Sequence, residues 1–214
     1  MTFRGERRTH VVLHVLYLIG VGAFAVSGVL AAHKANLDPF GAIVLGFLAG
    51  LGGGTTRDLL LDRHPLYWLH DWVLLTVILG SAVVTIGYLR FRMVPRRTLL
   101  TVDALGLAVV TVIGAQTAVA AQVNPLAVVI LATITGVTGE LIRDVLAGEL
   151  PPLLLREEIY ATCAATGAVV YLLLDTLGAP RTASTVTAAV LVFGLRMLAI
   201  RFGVHLPKSG RRAP

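Results

Sequence analysis

The sequence predicts an all-α membrane protein with seven transmembrane helices, arranged as a 3+3 inverted repeat plus one extra helix. The first observation is composition, because 56% of the 214 residues are apolar, only 14% are charged and the mean hydropathy is +0.83. Soluble domains carry about 25% charged residues. The second is an internal repeat, in which residues 38–65 match residues 124–151 at a constant offset of 86 positions. The third is a row of seven long apolar segments.

Each apolar segment is long enough to cross the hydrocarbon core, which takes about 20 residues of helix. Helices are the expected spanning form, since lipid cannot satisfy open backbone groups and the segments lack the alternation of barrel strands. The first segment is too long for the core of a signal peptide and has no cleavage motif, so it predicts a retained span. The predicted spans are 12–33, 39–60, 68–89, 98–120, 125–147, 158–177 and 182–202.

Three spans in each repeat is an odd number, so the second copy enters the membrane from the opposite side and the two copies are inverted. The predicted organisation has four parts, of which the seventh helix stands outside the repeat. They are a first three-helix repeat at 12–90, a second, inverted three-helix repeat at 98–177, a seventh helix at 182–203 and a basic cytoplasmic tail at 204–214.

The Lys and Arg residues predict the orientation, because cytoplasmic loops carry an excess of them. Ten lie on one side of the predicted spans and five on the other, with Arg57, Arg143 and Arg196 set aside as candidates for positions within the membrane. The richer side is expected to be cytoplasmic, which places the C-terminus inside and the N-terminus outside a prokaryotic cell membrane. Basic residues near the N-terminus oppose this weakly. The net charge of +6 is explained by orientation and anionic lipid headgroups rather than by nucleic acid.

Glycines recur at matched positions in the second and fifth spans. They are Gly52, Gly53 and Gly54 in the second and Gly136 and Gly139 in the fifth. Each costs a helix roughly 1 kcal/mol relative to alanine, so breaks are predicted in both helices. A broken helix frees carbonyls that coordinate a cation, and its half-helix N-termini favour an anion. The alternative is that Gly46, Gly50 and Gly54 form a seam of small residues that packs two helices together, and both interpretations can hold at once.

An Arg-Asp pair follows the glycines in each copy, Arg57-Asp58 in the first and Arg143-Asp144 in the second. Charges near a span are costly unless they are paired or hydrated, which makes them functional candidates by default. Neighbouring residues on a helix point about 100° apart, so we expect each to bind a partner elsewhere, for example on the other repeat. The alternative is structural, with the arginines reaching the headgroups and the aspartates binding backbone amides.

Three further polar residues are candidates for pore lining or gating. Glu140 stands where the second span has Gly54, and its carboxylate either attracts cations or is protonated and hydrogen-bonded. Asp103 opens the fourth span, as part of a vestibule or as an aspartate bound by backbone amides. Thr138 and other hydroxyl side chains offer neutral oxygens.

Several classes of function are disfavoured. A single cysteine excludes a disulfide within the chain, and no spacing of His and Asp resembles a metal site. There is no phosphate-binding glycine loop followed by Lys and Ser or Thr, and no nucleophile motif. We therefore expect no enzyme activity, no cofactor, no tight metal site and no nucleic-acid partner.

Three sequence stretches in combination resemble the prokaryotic TRIC family, the trimeric intracellular cation channels, a sequence group also labelled as a glycine transporter domain. The stretches are GLGGGTTRDLLLDRHP at 50–65, DALGL at 103–107 running on to Gly114, and GVTGELIRDVL at 136–146 followed by Pro151. The resemblance covers roughly residues 12–200, nearly the whole chain.

The resemblance implies a homotrimer of seven-helix protomers with a separate pore in each, between spans 1, 2, 4 and 5. It also implies kinks at the glycine motifs, which map onto the five glycines named above, and K⁺ permeation with modest selectivity among monovalent cations. Thr138 and Glu140 depart from the fuller glycine run that is common in the family, and Tyr17 stands opposite Asp103 in the first copy.

The first functional hypothesis is a passive K⁺ channel with a narrow hydrated path near the two breaks, gated by dewetting at Phe24, Phe47 or Val137. Its partners are the lipid bilayer, anionic lipids, transiently bound K⁺ or other monovalent cations, and further copies of the chain. The second hypothesis is a secondary transporter of a small amino acid such as glycine, because broken helices at a repeat interface also suit a carboxylate. A third is a non-conducting membrane scaffold.

Overall fold

A computed structural model describes residues 2–92, 94–149 and 159–203, and within these ranges the fold is built from seven helices without strands. The seven-helix prediction is confirmed, and most helix ends agree with it to within two residues. The third helix begins four residues later than predicted, and the first begins well before residue 12. The predicted basic tail at 204–214 lies outside the described residues. The helices are α1 (Thr2–Lys34), α2 (Pro39–Leu60), α3 (Trp72–Leu89), α4 (Arg96–Ala120), α5 (Pro125–Leu146), α6 (Tyr160–Thr176) and α7 (Arg181–Phe202).

Six of the seven helices contain a stretch that is long and apolar enough to cross a membrane. The remaining one, α6, has 17 described residues. At 1.5 Å per residue these cover about 25 Å, slightly less than a typical hydrocarbon core of about 30 Å. The chain is therefore an integral membrane protein whose described helices form one bundle.

The duplication is visible in the backbone at the starts of α2 and α5. Asp38 caps α2, and its Oδ1 accepts a hydrogen bond from the backbone N–H of Gly41 at 2.6 Å. Asn124 caps α5 in the same way, accepting from the backbone N–H of Ala127 at 2.9 Å. A proline follows each cap at the first helical position, where the missing N–H costs nothing. The two helices therefore begin at equivalent positions.

The turns on either side of α2 and α5 also correspond. Asn36 and Gln122 precede the two helices with φ angles of 57° and 55°, in the left-handed region. Asp62 and Gly148 follow them with φ angles of 51° and 73°. The members of each pair are 86 positions apart, so the sequence repeat is also a repeat of backbone conformation.

Four helices make the centre of the bundle. α1 packs against α2 and α4, while α5 packs against α4 and α2. α3 lies against α1 and α2, and α6 takes the corresponding place against α4 and α5. α7 packs mainly against α4 and α6, outside this repeated arrangement.

α2 and α5 run as continuous helices through their glycines, so the prediction of broken helices at these positions is wrong. The glycines lie where the two helices cross. A Cβ atom at Gly53 would overlap the carbonyl oxygen of Thr135, and one at Gly139 would overlap the carbonyl oxygen of Ala49. The close approach of the two backbones makes up for the helix propensity that glycine lacks. The predicted seam of small residues faces α1 instead, where a Cβ at Gly46 would lie 2.9 Å from the carbonyl oxygen of Ala25.

The other three glycines predicted as kinks are helical as well and also face a neighbouring element. A Cβ at Gly52 would lie 2.7 Å from Ile142, and one at Gly54 would lie 2.6 Å from the ring of Tyr67. A Cβ at Gly136 would overlap the hydroxyl of Thr111 on α4. Gly54 and Gly136 therefore leave no room for a side chain within an unbroken helix, whereas at Gly52 only the end of the Ile142 side chain would have to move.

An apolar layer fills the bundle at the level of this crossing. Leu51 of α2 and Val137 of α5 lie within it, and both are buried. Phe24 of α1 is 1% exposed, and its ring would be met by a Cβ at Gly106 of α4. Apolar side chains of α1, α2, α4 and α5 thus meet here, beside the buried hydroxyl groups of Thr111 and Thr135.

Candidate functional site

Two buried polar clusters flank the apolar layer. The contacts of Gly53 with Thr135 and of Gly139 with Ala49 show that α2 and α5 are antiparallel at their crossing. Arg57 lies four residues beyond Gly53, and Arg143 four residues beyond Gly139, which is about 6 Å along each helix. The two arginines therefore lie on opposite sides of the crossing.

The first polar cluster is formed by Arg57, Asp58 and Tyr67. The Nε and Nη2 atoms of Arg57 donate to Oδ1 of Asp58 at 2.9 and 2.7 Å. The other carboxylate oxygen of Asp58 accepts from the backbone N–H of Tyr67 at 3.2 Å. Contrary to expectation, Arg57 and Asp58 bind each other, because the long arginine side chain folds back to the next residue. Asp58 also binds a partner elsewhere, a backbone amide as the structural alternative predicted.

Aromatic rings cover the first polar cluster. The guanidinium carbon of Arg57 lies 5.4 Å from the centre of the Tyr67 ring, within cation–π range. The ring of Tyr17, on α1, lies 5.7 Å from that of Tyr67. Trp68 donates its indole N–H to the hydroxyl of Thr55 at 3.1 Å. Burial raises the pKa of Tyr67, in the α2–α3 connection, to about 12, so its phenol adds no charge.

The second polar cluster is formed by Ser27, Asp103, Glu140, Arg143 and Asp144. Arg143 donates from Nε to Asp144 at 2.8 Å and from Nη2 to Glu140 at 2.9 Å. Its Nη1 donates to Asp103 and to the hydroxyl of Ser27. That hydroxyl in turn donates to Asp103 at 3.1 Å. For Arg143 the expected partner on the other repeat is confirmed, since Ser27 belongs to α1, although the arginine also binds its neighbour.

The second polar cluster has three carboxyl groups around the guanidinium of Arg143. The three acidic residues and Arg143 are all buried, with exposed fractions of at most 5%. The Oδ2 atoms of Asp103 and Asp144 are buried and have no hydrogen-bond partner among the described residues. The cluster thus holds acceptor oxygens that its own arginine leaves unused.

α7 brings a further arginine to the bundle interior. Arg196 is fully buried, and its guanidinium carbon lies 4.7 Å from the centre of the Tyr160 ring on α6. It is close enough to Glu140 to interact with it electrostatically. Arg196 was not among the site residues predicted from the sequence. The available signal was an arginine alone inside an apolar span, which is costly unless it is partnered.

The structure brings the predicted site residues together in two groups. Arg57 and Asp58 lie in the first polar cluster, while Asp103, Glu140, Arg143 and Asp144 form the second. Thr138 is half-buried and makes none of the hydrogen bonds of either cluster. Among the described residues, no group of three or more His, Cys, Asp or Glu side chains is placed to hold a metal ion.

The candidate gating residues lie at two levels. Phe24 and Val137 belong to the apolar layer between the clusters. Phe47 packs edge-on against Trp68 instead, with ring centres 5.8 Å apart, beside the first polar cluster. Phe24 and Val137 are therefore better placed than Phe47 to block a path between the clusters.

The sequence profile of the glycine transporter family matches the chain twice, at residues 14–90 and 100–176. The inner membrane protein YadS of Escherichia coli K12 is 41% identical over 194 residues, which cover 90% of this chain and 93% of that protein. A membrane protein of Deinococcus radiodurans is 38% identical over 203 residues, covering 94% of this chain and 93% of its relative.

Solved structures of TRIC channels are similar to the whole bundle. The TRIC trimeric intracellular cation channel orthologue from Rhodobacter sphaeroides matches with a TM-score of 0.85 and 35% identity, covering 90% of this chain and 99% of that one. A second TRIC cation channel matches with a TM-score of 0.85 and 34% identity over 94% of this chain and 98% of its own. A prokaryotic TRIC channel crystallised in 0.5 M KCl matches with a TM-score of 0.85 and 31% identity, covering 92% of this chain and 100% of that one.

Proposed function

This chain belongs to the glycine transporter family that includes the TRIC channels, and from that premise we propose that it is a monovalent cation channel. We propose that it conducts K⁺ through a pore in each protomer of a homotrimer. The observation that carries the proposal is the similarity to solved TRIC cation channels, with a TM-score of 0.85 at 35% identity across 90% of this chain. Such a similarity extends to the helices that would line the path.

The proposed path runs between α1, α2, α4 and α5, from one polar cluster to the other. Because α2 and α5 are continuous, their carbonyls are used within the helices and are not free to coordinate an ion. A passing cation would therefore be solvated by water and by side-chain oxygens. The unused Oδ2 atoms of Asp103 and Asp144 are the leading candidates.

Charge in the second polar cluster favours cations over anions. Asp103 and Asp144 each keep one carboxyl oxygen without a hydrogen bond, and charges interact more strongly in a buried site than in water. The first polar cluster has one carboxylate for one guanidinium and therefore supplies no such bias. We infer that selection against anions resides in the second polar cluster.

The apolar layer is the proposed gate. Phe24, Leu51 and Val137 supply apolar side chains there, and a narrow constriction lined mainly by such side chains loses its water. Opening would require α2 and α5 to separate where Gly53 and Gly139 let them touch. The structure described here would then correspond to a closed state.

Single-channel recording in planar bilayers tests the proposal. Unitary K⁺ currents are expected, with a reversal potential in a KCl gradient that favours K⁺ over Cl⁻. Asp103→Asn should lower the unitary conductance at low salt and weaken discrimination against Cl⁻. The matched control is Asp62→Asn, because the Asp62 side chain is 97% exposed and outside both clusters. The absence of any unitary current from the wild-type protein would contradict the proposal.

A second candidate is a carrier for a small amino acid such as glycine, which the description of the matching family favours. Saturable uptake of labelled glycine into proteoliposomes, with no unitary current, would support the carrier. If neither glycine uptake nor a unitary current is observed, the remaining hypothesis is a non-conducting membrane scaffold.

The proposed orientation has the N-terminus outside and the C-terminus in the cytoplasm, with the two three-helix repeats inserted in opposite directions. In intact cells, a membrane-impermeant maleimide should label Asp62→Cys and spare Arg92→Cys, since these exposed positions lie at opposite ends of the bundle. The native Cys163 is buried and gives a low background. Labelling of Arg92→Cys but not of Asp62→Cys would show that the protein has the opposite orientation.

A further inference from the structure

A groove lies between the C-terminal ends of α1 and α3 and the N-terminal end of α2. Its volume is about 220 Å³. The floor is apolar and includes Val29, Ala42 and Ile86, of which the first two are almost fully buried. His33 and Arg90 line the same groove, and both are exposed. The groove is separate from the two polar clusters, which lie inside the bundle.

The position and chemistry of the groove match an amphiphile better than a soluble molecule. Its two polar residues lie at the helix ends, where a spanning helix reaches the lipid headgroups, and its floor extends into the hydrophobic part of the helices. Arg90 makes no ion pair among the described residues, whereas the nearby Lys34 is held by Glu149 at 2.6 Å. Arg90 is therefore available to an external anion, and the histidine supplies at least one N–H donor.

The duplication supplies an internal comparison for this groove. The positions that correspond to His33 and Arg90 in the second repeat are Val119 and Thr176. Asp175 corresponds to Leu89, which also lines the groove. The backbone is repeated but its cationic rim is not, so packing of the repeat does not require these basic residues. One end of the bundle alone carries them, as expected for a contact with the anionic lipids of one leaflet.

We propose that this groove binds an anionic phospholipid, with the phosphate between His33 and Arg90 and part of one acyl chain on the floor. The volume is below that of a typical small-molecule pocket, about 300–1,000 Å³, so it accepts a chain segment rather than a whole lipid. Charge complementarity selects the headgroup, and the apolar floor selects against a free anion. The site does not depend on whether the protein conducts ions.

Native mass spectrometry of the full-length protein, released from detergent, tests this site. Phosphatidylglycerol and phosphatidylcholine with identical acyl chains are titrated separately, and inorganic phosphate is the third ligand. We expect phosphatidylglycerol to be retained preferentially. Arg90→Gln should weaken its retention about five-fold, the effect expected for one basic residue near an anionic headgroup. Arg63→Gln is the matched control, because Arg63 is exposed at the other end of the bundle.

A second variant tests the floor. Ile86→Trp places a larger side chain in the groove and should reduce retention of phosphatidylglycerol while Arg90 is intact. Equal retention of both lipids, unchanged by Arg90→Gln, would overturn the proposal and assign the groove to bulk lipid. If inorganic phosphate is retained as well as phosphatidylglycerol, the proposed role of the acyl chain is overturned. A change of oligomer mass in Arg90→Gln without any lipid bound would assign the groove to a second copy of the chain.

Discussion

The two polar clusters begin from the same Arg-Asp pair on equivalent helices, yet they differ in charge and in surroundings. Arg57 is bound by one carboxylate and covered by the ring of Tyr67. Arg143 is bound by carboxylates from Asp103, Glu140 and Asp144. One cluster is charge-balanced and lined by aromatic rings, whereas the other has an excess of acid.

Two differences between the repeats account for this contrast. Gly54 corresponds to Glu140, and a Cβ at Gly54 would lie 2.6 Å from the Tyr67 ring. The aromatic ring thus occupies the space next to the helix that a carboxylate side chain takes in the second copy. Tyr17 corresponds to Asp103, so one ring in the first cluster is matched by one charge in the second.

The comparison shows how a duplicated backbone can serve two different tasks. The helix crossing is alike in both copies because the two backbones pack closely there, and in each copy a hydrogen-bonded Arg-Asp pair lies about one turn beyond it. The side chains around each arginine are free to diverge, since they change the local charge without moving the helices. An inverted repeat can in this way present different chemistry at its two ends.

Removing the arginines should give the largest effect and the sharpest test of this difference. Breaking a buried pair by deleting one partner costs about 3–5 kcal/mol. The loss of stability in Arg143→Leu should be at the upper end of this range, because the variant leaves three carboxyl groups without their shared donor. Arg57→Leu should lie at the lower end, because Asp58 keeps the backbone N–H of Tyr67. The measurement is the free energy of unfolding in detergent.

A double variant controls for the loss of arginine packing. Arg143→Leu combined with Asp103→Asn should recover part of the lost stability, since the asparagine is neutral. Equal losses from the two single variants would show that the extra carboxyl groups of the second cluster do not matter to stability.

Filling the crossing should affect both copies alike. Gly53→Leu and Gly139→Leu each force a side chain against a backbone carbonyl that cannot rotate away. Overpacking of this kind costs about 1–3 kcal/mol, and we expect the upper end of that range in unfolding experiments. Currents through Gly53→Leu should fall while its oligomeric mass is unchanged.

Gly80→Leu on α3 is the control for the crossing variants, because no atom lies within 4 Å of a Cβ there. It should leave stability the same or slightly higher, since leucine has a better helix propensity than glycine. A marked difference between Gly53→Leu and Gly139→Leu would break the equivalence of the two halves at their crossing.

The helix caps should give the smallest effect. Asp38→Ala and Asn124→Ala each remove one hydrogen bond to the third residue of a helix, at a cost of about 1 kcal/mol. Thermal unfolding of the two variants should shift by similar amounts, because the caps have the same geometry. A large effect at one cap and none at the other would mean that the start of only one of these helices is critical.

Local features of the sequence were enough to predict the framework. The seven helices follow from apolar length, and the predicted starts of α2 and α5 at Pro39 and Pro125 are confirmed. The offset of 86 positions holds for both ends of α2 and α5, for their caps and for the left-handed residues beside them. These features could be predicted because each depends on a few neighbouring residues and on the solvent around them.

The glycines and the arginine partners could not be predicted in the same way. The cost of glycine within a helix is about 1 kcal/mol, and a packing contact that no sequence pattern reveals is enough to outweigh it. The second polar cluster joins α1, α4 and α5 through Ser27, Asp103 and Arg143, which are far apart in the chain. Arg196 lies near this cluster because α7 packs on α4 and α6, a contact that the sequence does not reveal.

The amino-acid sequence by itself determined that this protein lies in a membrane, that it has seven helices and that two halves are inverted copies. Hydrophobicity, chain length and repetition decide these properties, and all three are read along the chain. The tertiary structure alone decided that the helices stay whole at their glycines and that only one Arg-Asp pair is surrounded by further acids. Both depend on which backbones and charges come within a few ångströms of each other, and distance in space is set by packing rather than by position in the sequence.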